Sequence, residues 1–138
     1  MTSLTEYAAL PHRWVWGGMG GHDCTTFCAR WVEIVTGKNP GAGLIGTYSS
    51  REEANALIAS HGGIERMLDE RLGQVGISRA KAPRSGDVGL ISAPVGFDAT
   101  GITNKQIPAI RFGPLWLAMS ARGPVAKQAT HSAAWRIE

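Results

Sequence analysis

The chain has 138 residues, a net charge of +3 from 14 Lys/Arg against 11 Asp/Glu, and an apolar fraction of 43%. That length suits one domain over residues 1–138, and the apolar fraction is that of a globular core, which argues against disorder. No apolar run approaches the ~18 residues of a membrane span. The cations are scattered, without the dense basic face of a nucleic-acid binder, so neither a membrane span nor a nucleic-acid partner is expected.

The first residues lack the basic and apolar stretches of a secretory signal. The only cysteines, Cys24 and Cys28, sit four apart. On one helix that spacing disfavours a disulfide, and it supplies no four-ligand zinc pattern, so the chain is read as one that folds in a reducing cytoplasm. Among the five tryptophans, Trp16, Trp31, Trp116 and Trp135 lie in or beside patterned segments, as anchors of a core or an interface.

In chain order, residues 1–21 read as an irregular lead-in ending in the glycine-rich run 17–21. A helix then follows from Cys24 to Thr36, with Asp23 as N-cap and Gly37 as C-terminal stop. Cys24, Phe27, Cys28, Trp31 and Val35 recur on one face as its buried stripe. After a Gly-rich loop containing Pro40, Ser50 and Glu53 form a capping box. The helix it opens ends at Gly62-Gly63, with Ala54, Leu57, Ile58 and His61 inward. A shorter helix covers 64–72. Strands are expected at 87–91, 109–112, 116–120 and 134–137. Helices first and strands after, without βαβ alternation, indicate an α+β fold with N-terminal helices packed on a largely antiparallel sheet.

No motif calls for a cofactor or a metal. The glycine run before Cys24 lacks the preceding strand and the Gly-Lys-Ser/Thr ending of a phosphate loop. His12, His61 and His131 have no ligand-like spacing and read as surface or partly buried side chains. Asp87 follows Ser85-Gly86 and reads as a turn carboxylate. Cys24 has two readings. Placed at the first helical position, it sees unpaired N–H groups and the helix dipole, which favour a thiolate nucleophile. It also fits as a small hydrophobe opening the core stripe. Cys28 reads as core. His22 is the nearest base in sequence, but it precedes the cap, so its ring is free to point elsewhere.

Three segments, His22-Asp23-Cys24-Thr25-Thr26-Phe27, Gly86-Asp87-Val88-Gly89-Leu90 and Ile110-Arg111-Phe112-Gly113, occur in the order of the signatures of NlpC-type cell-wall peptidases. These are papain-like cysteine peptidases. Further features are Thr36-Gly37 with Pro40, Gly46-Thr47-Tyr48, Gly62-Gly63 and Ala134-Trp135-Arg136-Ile137. With these the chain resembles more closely a papain-like family found among the tail genes of phages and gene transfer agents.

The resemblance implies a papain-like (NlpC-type) fold with Cys24 at the nucleophile position. The family histidine falls on Ile107, and the residue that would orient it falls on Met119 or Ser120. Isoleucine cannot take a proton, and general-base assistance typically contributes ~10²- to 10⁴-fold in rate. His22 is the one local substitute. The implied function is a structural virion component of a phage-like tail tip with a degenerate site. It would be made in the host cytoplasm, carried in the virion, and partnered by hub or baseplate proteins. The alternative is an active peptidoglycan peptidase or amidase that uses Cys24 during genome entry. A third reading is a small host-side binding domain.

Overall fold

A computed structural model describes residues 2–94 and 104–137. Among these, four helices precede five strands. They are α1 (Leu4–Ala9), α2 (Cys24–Thr36), α3 (Arg51–Ser60) and α4 (Ile64–Gln74), then β1 (Val88–Pro94), β2 (Asn104–Phe112), β3 (Leu115–Ser120), β4 (Gly123–Lys127) and β5 (Thr130–Trp135). The strands form one sheet in the order β4-β3-β2-β1-β5, with every pairing antiparallel. The α+β class follows directly.

The helix ends lie where local chemistry puts them. Asp23 accepts from the Thr26 N–H at the start of α2, and Gly37 closes that helix in the left-handed conformation. Ser50 accepts from the Glu53 N–H. The Glu53 carboxylate reaches back one residue further than a capping box requires, accepting from the N–H and hydroxyl of Ser49. The lead-in is not wholly irregular. Ser3 and Glu6 form a capping box of their own, and the six-residue α1 follows. Its Tyr7 is buried against Phe27 and donates its hydroxyl to the Phe27 carbonyl at 2.7 Å.

The main core lies between the helices and one face of the sheet. Phe27, Cys28, Trp31 and Val32 of α2 meet Val88, Leu90, Ile110, Leu117, Met119 and Trp135. Each large side chain so buried contributes ~1.5–3 kcal/mol.

The sheet cannot be flat. Edge strands β4 and β5 are both antiparallel to their neighbours and run in the same direction, separated only by Gln128 and Ala129. Four strand spacings of ~4.8 Å would put the edges ~19 Å apart in a flat sheet. The three Cα steps from Lys127 to Thr130 reach at most ~11 Å. One strand therefore continues from one edge onto the other, and the sheet curls to let it. The face turned inward carries a second core of Ile91, Ile107, Ala109, Trp116 and Ala118, with Ala129 of the crossing link packed on it. Strand β4 and the early start of β2 are additions to the strands expected from sequence. The last strand begins at Thr130, four residues before the expected 134–137.

Candidate functional site

The site is assembled by Asp23. Its carboxylate is 3% exposed and serves four donors. One oxygen accepts from the Thr26 N–H at 2.9 Å and the Thr26 hydroxyl at 3.2 Å. The other accepts from the Gly17 N–H at 3.0 Å and the Tyr48 hydroxyl at 2.5 Å. One residue thus caps α2, holds the glycine-rich loop and ties down the loop before α3. Gly17 has φ of +85°, and a Cβ there would stand 2.0 Å from the Tyr48 carbonyl oxygen, so only glycine fits. Burial, reinforced by the Asp23 charge, pushes the Tyr48 hydroxyl far above the usual phenol range. Tyr48 therefore stays a donor.

Cys24 follows as the first residue of α2. It is half-buried, and its thiol donates to the Met119 carbonyl at 3.3 Å. It opens on a cavity of about 280 Å³. Trp14, Trp16, Leu44 and Tyr48 line one side, Leu57 and Ile58 of α3 another, and Gln106, Ile107 and Pro108 of β2 a third. Ile107 is thus on the wall of the cavity that receives Cys24, and both touch the second core. Asn55 and Gln106 are the amide side chains in the lining. None of the described lining residues is a histidine.

His22 is not brought to this cavity. Its Nδ1 lies 3.3 Å from the Thr26 hydroxyl, and its ring stands 5.9 Å from that of His12 and 6.3 Å from that of Phe27. Burial holds its pKa below the ordinary histidine value, the neighbouring His12 adds to this, and Asp23 opposes it. His12 donates Nε2–H to the Tyr7 carbonyl at 2.7 Å. His61 faces Glu70, and His131 packs on Trp116. Ser120 is buried and spends its hydroxyl on the Gly123 carbonyl within the β3–β4 turn. Cys28 is 3% exposed, and burial pushes its thiol well up, with Cys24 and Asp23 adding to the shift. Asp87 is a turn carboxylate in fact: it accepts from the Arg84 N–H at 3.0 Å and from Arg136 Nε at 2.9 Å.

Trp14, Asn55 and Gln106 are site residues that sequence reasoning did not single out; Trp16 reads there only as an anchor of a core or an interface, and Tyr48 only as part of the Gly46-Thr47-Tyr48 feature. The two indoles pack edge to face at 5.1 Å. Their only sequence signal is composition, because each reaches the cavity through contacts distant in the chain. Among the described residues no group of three His, Cys, Asp or Glu is placed to hold a metal ion. No helix among them is long and apolar enough to cross a membrane.

A family model described as a domain of unknown function, DUF6950, matches residues 2–137. The chain belongs to the DUF6950 family. The match runs from before α1 to the residue after Arg136, so helices, curled sheet and cavity all lie within the DUF6950 domain. No curated protein and no solved structure matches this DUF6950 chain.

Proposed function

We propose that this chain is a structural component of a phage-like tail tip, built on a papain-like fold of the NlpC type whose catalytic pair is incomplete. The observation that carries the reading is the shared cavity of Cys24 and Ile107. These are the two positions on which the NlpC-type resemblance puts nucleophile and base. The thiol is retained at a helix start, and an aliphatic side chain stands where an imidazole would be needed. Asp23 offers no substitute, since four donors already occupy its oxygens. Tyr48 is held protonated by burial and by Asp23. A thiolate can still attack a carbonyl, but no histidine among the described lining residues stands ready to protonate the leaving amine, and that step limits amide cleavage. In this reading the domain travels in the virion and binds hub or baseplate proteins.

The test is mass spectrometry of purified tail particles, together with release of new amino groups from purified peptidoglycan. The chain is expected in the particles at fixed stoichiometry, with no release above that of Cys24→Ala. Particles without the chain would overturn the reading.

One observation favours a second reading. Cys24 is half-buried and opens on a cavity of about 280 Å³. A base supplied by a neighbouring tail protein would then make a peptidoglycan peptidase of the assembled tip. Cleavage by whole particles, abolished by Cys24→Ala and absent with the isolated chain, would establish that reading.

A further inference from the structure

The charges of this chain are segregated. Residues 1–75 carry six Lys/Arg and eight Asp/Glu, whereas residues 76–138 carry eight and three. Acids of the helices are met by bases: Arg79, one of the eight cations after residue 75, reaches back to Glu65 and Asp69 of α4, Arg66 faces Glu70, and Arg30 pairs with Glu33. The sheet has fewer acids among its described residues. Its one described acid, Asp87, is buried and bound by Arg136. Arg111 and Arg122 have no acidic partner among the described residues.

The excess has a focus at Trp116. The Arg111 guanidinium lies 5.1 Å from the Trp116 ring centroid, and the His131 ring lies 5.5 Å from it. Lys127 stands directly opposite Trp116 in the β3–β4 pairing. Arg111 of β2 and His131 of β5 therefore meet on one indole, with Lys127 of β4 in register beside it, where the curled sheet brings its edges together. The cation–π contact with Trp116 restrains the Arg111 guanidinium, so less rotamer freedom is lost when it meets a carboxylate.

We propose that this seam of the sheet, centred on Arg111, is a docking surface for an acidic segment of a partner protein. The inference does not depend on the tail-tip reading. Two features favour a protein carboxylate over nucleic acid. Trp116 is 1% exposed, so it offers no face on which a base could stack. Arg111 and Lys127 also flank a single residue, Trp116, in the sheet register, whereas a phosphate backbone is tracked by a longer row of cations.

The test uses the full chain with two fluorescent probes, an eight-residue polyglutamate peptide and a 20-base-pair DNA duplex, by anisotropy at low and at 0.3 M salt. The peptide is expected to bind more tightly than the duplex and to weaken with salt. Arg111→Gln is expected to weaken peptide binding at least 5-fold, and Arg111→Lys less. Arg30→Gln removes the same charge from the helical side and is expected to change binding by less than 2-fold. Circular dichroism melts confirm that each variant is folded. Equal losses in Arg111→Gln and Arg30→Gln would reduce the effect to net charge and overturn the proposal. Tighter binding of the duplex, or no binding of the peptide, would overturn it as well.

Discussion

The six-membered ring of Trp116 fills the space that a side chain at Gly89 would need. A Cβ built on Gly89 stands 2.4 Å from the nearest ring carbon. The two residues belong to strands β3 and β1, so the indole reaches across β2, where Ala109 is small enough to let it pass. The inner core of the curled sheet is thus one large side chain fitted to a glycine.

Gly89→Ala is expected to destabilise the protein by about 1–3 kcal/mol, the usual range for overpacking a core. Trp116→Phe tests the same fit from the other side. The Trp116 Nε1–H is buried without a hydrogen-bond partner among the described residues. Removing such a group recovers about 1–3 kcal/mol of desolvation cost, which offsets much of the lost packing. In urea unfolding, Trp116→Phe should cost less than Gly89→Ala, and the double variant less than the sum of the two.

Asp23 joins three elements through one carboxylate, so its removal should cost more than a helix cap alone. Asp23→Ala loses the cap of α2, ~0.5–2 kcal/mol, and leaves the Tyr48 hydroxyl buried without its acceptor, ~1–3 kcal/mol more. A total loss of about 2–4 kcal/mol is expected. Tyr48→Phe should be milder, and a double-mutant cycle should show coupling between the two residues. Additive losses would mean that the Asp23–Tyr48 bond contributes nothing to stability.

His22 makes stability fall with acid. Its folded-state pKa lies below the unfolded one, chiefly through burial. The unfolded chain therefore binds the proton more readily, and stability is lost as pH falls below the ordinary histidine value of ~6.5. The denaturation midpoint should drop between pH 7.5 and pH 5.5. His22→Gln should flatten part of that drop, and an unchanged slope would remove His22 from the account.

The two cysteines should separate cleanly in alkylation followed site by site. Cys28 is 3% exposed, its thiol is pushed up by burial, and it should remain unmodified in the folded chain. Cys24 is half-buried and opens on the cavity, so it should be the site that reacts. Labelling of Cys28 at a comparable rate under native conditions would contradict this burial.

Ile107→His places an imidazole on the cavity wall that Cys24 shares. A cationic ring there favours the thiolate, so alkylation of Cys24 near pH 6.5 should accelerate severalfold. Replacing a 5%-exposed isoleucine by a polar ring should cost about 1–3 kcal/mol. An unchanged alkylation rate in the folded variant would mean that the two side chains do not communicate.

The amino-acid sequence by itself determined α2, α3 and α4, their main caps and the fold class, but not α1. Asp23, Gly37, Ser50 and Gly62-Gly63 act within about four residues, so their effect is legible without knowing the rest of the chain. The stripe of Phe27, Cys28 and Trp31 is legible for the same reason. Cys24 stood out because a helix start is a local feature. Tertiary structure decided the rest. It turned His22 toward Thr26 and His12, put Ile107 on the cavity of Cys24, and joined Tyr48 to Asp23 across 25 residues. It also carried the chain from one edge strand of the sheet onto the other through Gln128 and Ala129. These relationships depend on which surfaces meet after collapse. A side chain's direction there is set by the partners it packs against, and those lie far away in the chain.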